Sequence, residues 1–354
     1  MSGADSTTPG ALIRAEIAEQ PAAWRRLLTA GREQIIAAAT LLRDTDPELI
    51  VFAARGTSDH AAMYAQYLAH VRLGIPAMLA TPSAFTAYGA RLSYPRAVLV
   101  AVTQSGESPD LIETVRVAKS AGVPVIAVTN VAESMVAGLG DVPLDLVAGP
   151  ELSVAATKTY TAELLALHAV ISLAAGDRWD DVAARIGAVA DAAEKLLAGE
   201  HPGWNALADT VAKTDRILVV GRGYSMASAR EGALKLMETN GIAASGWSAA
   251  DATHGPLGQV RPATLVFLLT ASPSTRAAAA AFGEKASALG GTLVEVGGPA
   301  STPLHLALPT DGVDETLIPV LEIIPFQLLA LDAALRRGLD PDNPEGLAKV
   351  TKTR

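Results

Sequence analysis

Residues 98–110 read VLVAVTQSGESPD. An apolar, β-branched run from Val98 to Thr103 gives way to Gln104-Ser105-Gly106-Glu107-Ser108, and Pro109 then opens a helical pattern. A buried strand that ends in a hydroxyl- and glycine-rich turn at a helix N-terminus suits an anion, because free N–H groups and the positive end of the helix dipole point into the turn. Ser105 and Ser108 add hydroxyl donors, and Gly106 lets the backbone approach a ligand closely. The same residues also suit an ordinary strand-to-helix turn with Ser108 as N-cap and Pro109 at N1.

A second group of chemistry-bearing residues lies further along. Residues 226–240, MASAREGALKLMETN, read as one helix closed by Gly241. Glu231, Lys235 and Glu238 stand at i, i+4 and i+7 and share one face. That spacing fits a solvated ion-pair face as well as an acid–base site. Residues 245–259, SGWSAADATHGPLGQ, read as a long small-residue loop carrying Asp251 and His254. His254 is an acid/base candidate. Residues 151–160, ELSVAATKTY, form another such loop entering a helix; Ser153, Thr157 and Lys158 suit either helix capping or the wall of a sugar pocket. In the tail, residues 341–354, Lys349 is flanked by Leu347, Ala348 and Val350, which favours docking over free solvation. His60, His70, His168, His201 and His305 show no ligand-like spacing, so no metal site is expected.

The elements that must position these groups form an internal repeat. IVFAARGTS at 50–58 matches ILVVGRGYS at 217–225, and Gly56 and Gly223 stand 167 residues apart (223 − 56). Gly74 and Gly241 keep that offset, as do the runs beginning at Val98 and Leu265. A third pair, 123–128 and 292–296, differs by about one residue more. Each half reads strand, helix, strand, helix, strand, helix, and the strands are continuous apolar runs, as when both sheet faces are covered. The fold class is α/β: two doubly wound, three-layer αβα domains with mainly parallel sheets. Ligands of such sheets sit at the carboxyl ends of strands. The expected division is an N-terminal segment 1–30, domains 31–198 and 199–340 joined near residues 199–204, and a tail 341–354 that contributes to the site. The halves differ chemically. TQSGES of the first corresponds to TASPST of the second, where Pro273 replaces Gly106, so the first half is the expected phosphate-holding copy.

The 354 residues are half apolar and carry a net charge of −9. That charge argues against a nucleic-acid partner and requires a phosphate to be held by local donors. Cysteine is absent, which excludes disulfides, thiolate metal sites and a cysteine nucleophile. The first ten residues lack a basic and an apolar region, so no signal peptide is expected. The stretch nearest to a membrane span, 317–335, is interrupted by Glu322, Pro325, Gln327 and Asp332. A cytoplasmic protein with no membrane partner is the expectation.

Taken together these residues resemble the SIS (sugar isomerase) domain family, and within it the isomerase half of the glutamine–fructose-6-phosphate aminotransferases. The motifs that carry the resemblance are Glu16-Ile17-Ala18-Glu19-Gln20-Pro21, Gly56-Thr57-Ser58, Gln104-Ser105-Gly106-Glu107, and Val154-Ala155-Ala156-Thr157-Lys158. Glu231-Gly232-Ala233-Leu234-Lys235-Leu236, His254-Gly255-Pro256-Leu257 and Leu347-Ala348-Lys349 follow in order. The resemblance implies that Ser58, Thr103, Gln104, Ser105 and Ser108 hold the sugar phosphate and hydroxyls, with Val154 and Ala156 also at the substrate. It implies that Glu238 moves a proton between C1 and C2, supported by Lys235. It further implies a homodimer in which His254 assists ring opening from across the interface, and Lys349 meeting the open-chain carbonyl, with a Schiff base as one form of that contact.

The departures narrow the expectation. The 354 residues contain no glutaminase segment and no cysteine, so glutamine-dependent synthesis is not expected as a self-contained activity. Thr103 stands for the family's first serine; Asp251 and Thr253 stand for its loop glutamate and lysine. The expected activity is glucosamine-6-phosphate deaminase, yielding fructose 6-phosphate and ammonia. The alternatives are a fructosamine-6-phosphate deglycase, another amino sugar phosphate deaminase/isomerase, or a non-catalytic phosphosugar sensor. No cofactor is expected, because the substrate carbonyl is itself the electron sink.

Overall fold

The computed structural model describes residues 8–91, 93–94 and 96–349. The first seven residues, and the tail from residue 350 including the Val350 flank of Lys349, lie outside the described residues. The chain divides into two compact units. One holds Ala22–Glu151 and Lys158–Gly187; the other holds the described residues up to Pro21, Leu152–Thr157 and Ala188–Lys349.

The chain enters through α1 (Ala11–Ala30) and α2 (Arg32–Thr45). The first-sheet unit then runs β1 (Leu49–Ala53), α3 (Thr57–Leu68), β2 (Ala77–Leu79), α4 (Pro82–Thr86), β3 (Ala97–Thr103) and α5 (Pro109–Ser120). It continues with β4 (Val125–Thr129), α6 (Met135–Leu139), β5 (Val142–Asp145) and α7 (Lys158–Ala174), and α8 (Trp179–Ala198) follows. The second-sheet unit holds α9 (Trp204–Ala212), β6 (Arg216–Gly221), α10 (Ser225–Asn240), β7 (Ala243–Ser248), α11 (Ala249–Ala252) and β8 (Leu265–Leu269). α12 (Arg276–Ala288), β9 (Thr292–Val296), β10 (Leu304–Leu306) and α13 (Ile318–Arg336) complete it.

The five strands of the first sheet lie in the order β2-β1-β3-β4-β5, and those of the second in the matching order β7-β6-β8-β9-β10. Every neighbouring pair is parallel. The repeat therefore extends to the register. Ile50 lies beside Ala77 and Val98, and Ile217 beside Ala244 and Leu265, each displaced by 167 (217 − 50, 244 − 77, 265 − 98). Leu99 lies beside Val125 and Val266 beside Leu293, so the fourth strand carries the one extra residue (293 − 125 = 168).

All seven residues of β3 are buried, as are all five of β4 and of β8. Helices on both faces cause this. In the first sheet Leu111, Val115 and Ala118 of α5 and Val136 of α6 pack on Val51, Leu99, Ala101 and Val125. The opposite face lies under α2, α3 and α7. In the second, Phe282 and Ala286 of α12 pack on Leu218, Val220, Val266 and Leu268. On its other side Phe326 of α13 meets Phe267 edge-on, with ring centroids 5.1 Å apart. The 317–335 stretch is thus a core helix of its unit, with no need of a membrane to cover it.

Two sequence expectations need correction. The halves hold five strands each, not three. Those missed are the short outer strands, whose side chains are only partly covered and so lack a long apolar run. Residues 245–259 are not a long loop: they complete β7, form α11, and end in a 3₁₀ turn at Pro256–Gln259. The small residues there answer to packing. A Cβ on Gly246 would lie 2.4 Å from the Ala229 carbonyl oxygen, so α10 crosses β7 at backbone contact.

Candidate functional site

At the end of β3 the chain makes the turn expected from its sequence. Gly106 has φ +67°, and a Cβ there would fall 2.1 Å from the Ser134 hydroxyl, so both conformation and space require glycine. Thr103 Oγ1 accepts the Gly106 N–H at 3.1 Å, and Ser105 Oγ accepts the Glu107 N–H at 3.3 Å. Each hydroxyl acts as an acceptor there, which leaves its proton free to be donated to a ligand. Ser108 is the N-cap residue and Pro109 follows it, but no side-chain capping bond forms. Among the described residues, neither the Ser108 hydroxyl nor the Gln104 amide has a protein partner. Glu107 is directed outward, accepting the Met135 N–H at 3.0 Å. The turn therefore presents donors and keeps its own carboxylate away from them.

Beside this turn, on the neighbouring strand, Arg55 follows β1 and donates to Asp110 Oδ2 from Nη2 at 2.9 Å and Nε at 3.2 Å. This pair ties the end of β1 to the first turn of α5. Ser58 is buried in the first turn of α3 and donates to Glu163 Oε1 of α7 at 2.7 Å. The repeat reproduces that contact in the second-sheet unit, where buried Ser225 donates to Glu322 Oε1 at 2.9 Å. Burial pushes the Glu322 carboxyl up to about 7, with the Ser225 and Ser228 hydroxyls offsetting only part of the shift.

The α10 constellation is not a solvated face. Glu231 and Lys235 are fully buried, and Glu238 is partly exposed. Lys235 Nζ lies 3.1 Å from Glu231 Oε1 and 2.6 Å from Glu238 Oε2. Burial alone would lower the ammonium pKa, but the two carboxylates outweigh it and raise it above the ordinary lysine value. The spacing was legible in the sequence; the burial follows from α10 lying between β7 and α13. The result is a rigid carboxylate at the rim of a buried charge network.

His254 follows α11 on an exposed turn, its N–H donated to the Asp251 carbonyl at 2.9 Å. Among the described residues its ring has no hydrogen-bond partner.

The loop 152–157 and the tail meet within the second-sheet unit. Glu16 of α1 accepts the N–H groups of Leu152 and Ser153. Asp342 accepts from Leu12 N at 3.0 Å and Ile13 N at 2.8 Å, capping α1 from the far end of the chain. Its carbonyl accepts the Val154 N–H at 3.2 Å. Lys349 Nζ then donates to the Ser153 carbonyl at 2.6 Å. The tail does dock, but through Asp342 and Nζ; the flanking Leu347 and Ala348 remain exposed. Val154 and Ala156 are half-buried, while Ser153, Ala155 and Thr157 point into the core. Ser153, Thr157 and Lys158 therefore form no open pocket wall, and a first-turn N–H of α7 is capped by Glu151, which accepts from Thr159 at 3.1 Å.

Sequence reasoning assigned no role to Glu163 or to Glu322, although each is an acid inside a largely apolar helix. It also left Glu231 without a role.

The profile of the SIS domain family matches residues 45–173 and again 210–337. A glutamine–fructose-6-phosphate aminotransferase of Thermococcus kodakarensis is 33% identical over 343 residues, covering 94% of this chain and 56% of that protein. The chain thus spans little more than half the length of that relative. Among solved structures, a Silicibacter pomeroyi protein assigned to the phosphosugar isomerases is 32% identical with TM-score 0.83, covering 95% of this chain and all of that one. A glucosamine-6-phosphate deaminase of Thermotoga maritima shares the fold at TM-score 0.71 and 20% identity, over 94% of this chain and all of that one.

Proposed function

Because the chain belongs to the SIS domain family, whose domain it carries twice, we propose that it is a phosphosugar isomerase acting as a glucosamine-6-phosphate deaminase. The observation that carries this reading is the partly exposed Glu238 carboxylate, fixed 2.6 Å from a buried ammonium. A non-catalytic binding module has no need of so costly a device.

The open-chain substrate has an aldehyde at C1 and an amine at C2. Glu238 takes the C2 proton and returns it to C1, so that C1 becomes CH2OH and C2 an imine. Water adds to the imine carbon, the C2–N bond breaks, and fructose 6-phosphate and ammonia leave. Thr103, Gln104, Ser105 and Ser108 hold the phosphate, with Ser58 beside them; Val154 and Ala156 line the sugar. Lys349 meets the C1 carbonyl, and Lys235 keeps Glu238 in place. His254, exposed in one chain, assists ring opening in a homodimer from the partner subunit. The same parts suit other amino sugar phosphates and fructosamine phosphates, so the substrate panel includes both.

Purified protein incubated with glucosamine 6-phosphate should release ammonia and fructose 6-phosphate in equal amounts. Glu238→Gln should retain binding and lose turnover. No ammonia from any member of the panel refutes the deaminase reading, and turnover unchanged in Glu238→Gln removes Glu238 from the chemistry.

A further inference from the structure

The turn after β8 is the repeat's counterpart of the Thr103–Ser108 turn. Thr270, Ser272 and Thr275 stand 167 residues after Thr103, Ser105 and Ser108 (270 − 103, 272 − 105, 275 − 108). Unlike its counterpart, this turn is occupied. Glu315, in the 3₁₀ turn that precedes α13, places its carboxylate among the turn's donors. One oxygen accepts from the Ser272 hydroxyl and from the Ser274 N–H at 2.8 Å; the other accepts from the Ser274 hydroxyl at 2.8 Å. Partial burial pushes this carboxyl up, but the Ser272 and Ser274 bonds outweigh it and hold the group below the ordinary glutamate value. Arg276, in the first turn of α12, donates Nε to the Thr270 carbonyl at 2.7 Å and holds a guanidinium beside the same turn.

We propose that the β8–α12 turn is a second oxyanion pocket, specific for phosphate or a phosphomonoester, which the chain keeps closed with the Glu315 carboxylate. Two carboxylate oxygens held by two hydroxyls and one N–H occupy the positions that two phosphate oxygens would take. The first copy differs in the feature that matters: its own turn acid, Glu107, is bonded away to the Met135 N–H. The consequence is stoichiometric. The chain takes one phosphate, in its first turn, and the second site opens only when Glu315 withdraws. The count of one rests on the phosphate-binding reading of the first turn; the closed second pocket does not.

Calorimetric titration of the full chain with inorganic phosphate tests the proposal. The wild type should bind one phosphate per chain, and Glu315→Ala should bind one more. Glu315→Gln should gain the same site, since a neutral amide does not repel an incoming anion; it carries the test if the alanine variant does not fold. Adding Ser274→Ala should abolish the gain. Unchanged stoichiometry in every folded Glu315 variant overturns the proposal. A wild type that binds none, with a variant that binds one, refutes phosphate binding at the first turn and supports the pocket.

Discussion

Replacing Lys235 by methionine isolates the buried charge network of α10. The side chain is fully buried, with carboxylate oxygens 3.1 and 2.6 Å from Nζ. Methionine fills a similar volume, so the change is chiefly the loss of the ammonium. Glu231, also fully buried, is left without that counter-charge, and such a loss costs about 3–5 kcal/mol. In a unit of this size each kcal/mol lowers the melting temperature by roughly 2–4 °C, so a fall of about 6–20 °C is expected. The assay is thermal and urea unfolding followed by circular dichroism. The double variant Lys235→Met/Glu231→Gln removes both buried charges and should recover most of the loss. The pH dependence adds a sign. The raised Lys235 pKa means its stabilisation is fully present below the unfolded lysine value and is lost as pH rises through the folded one. The wild type should therefore show no change from this pair between pH 5 and 8. A loss below about 1 kcal/mol in the single variant, or a double variant less stable than the single, refutes the reasoning.

Three further outcomes follow from the geometry. Gly106→Ala should cost at least about 1–2 kcal/mol for the left-handed backbone, with an added clash at Ser134 that Ser134→Gly relieves; equal unfolding midpoints for G106A with and without S134G would contradict the 2.1 Å approach. Glu322, with its carboxyl raised to about 7, contributes stability below the unfolded glutamate value that is lost as pH rises through the folded one. Glu322→Gln should thus stabilise the protein at pH 8 by about 3 kcal/mol, at roughly 1.4 kcal/mol per pKa unit, and add almost nothing near pH 4. A gain independent of pH would show that burial does not set this titration. Asp342→Ala removes the remote cap of α1 and should cost about 0.5–2 kcal/mol, read as a lowered melting temperature; an unchanged melting temperature would show that the cap adds nothing.

Much of this protein could be read from its chain. The repeat survives as matching strand order and register, to the single residue gained before the fourth strand. It was legible because buried parallel strands must be continuous apolar runs, and apolar runs are visible in any sequence. The turn after β3 was legible for a similar reason: a strand end, a glycine and a Pro at N1 are all local signals. The outer strands were not, since three to six residues with partly covered faces leave no such run.

The chain alone determined the two-domain α/β architecture, the asymmetry between TQSGES and TASPST, and, through its ordered motifs, the resemblance to the SIS family that the profile match bears out. It placed Glu231, Lys235 and Glu238 on one face, because helix periodicity is local. It did not decide whether that face met water. Burial depends on what lies across from α10: the strand that follows it, β7, covers one side, and α13 comes from far along the chain to cover the other. The same holds for Glu315 and Asp342. Each reaches donors far away in sequence, Ser272 and Ser274 for one, Leu12 and Ile13 for the other. Spacing fixes which residues share an element; only the packing of elements decides which charges face one another and which donors are already taken.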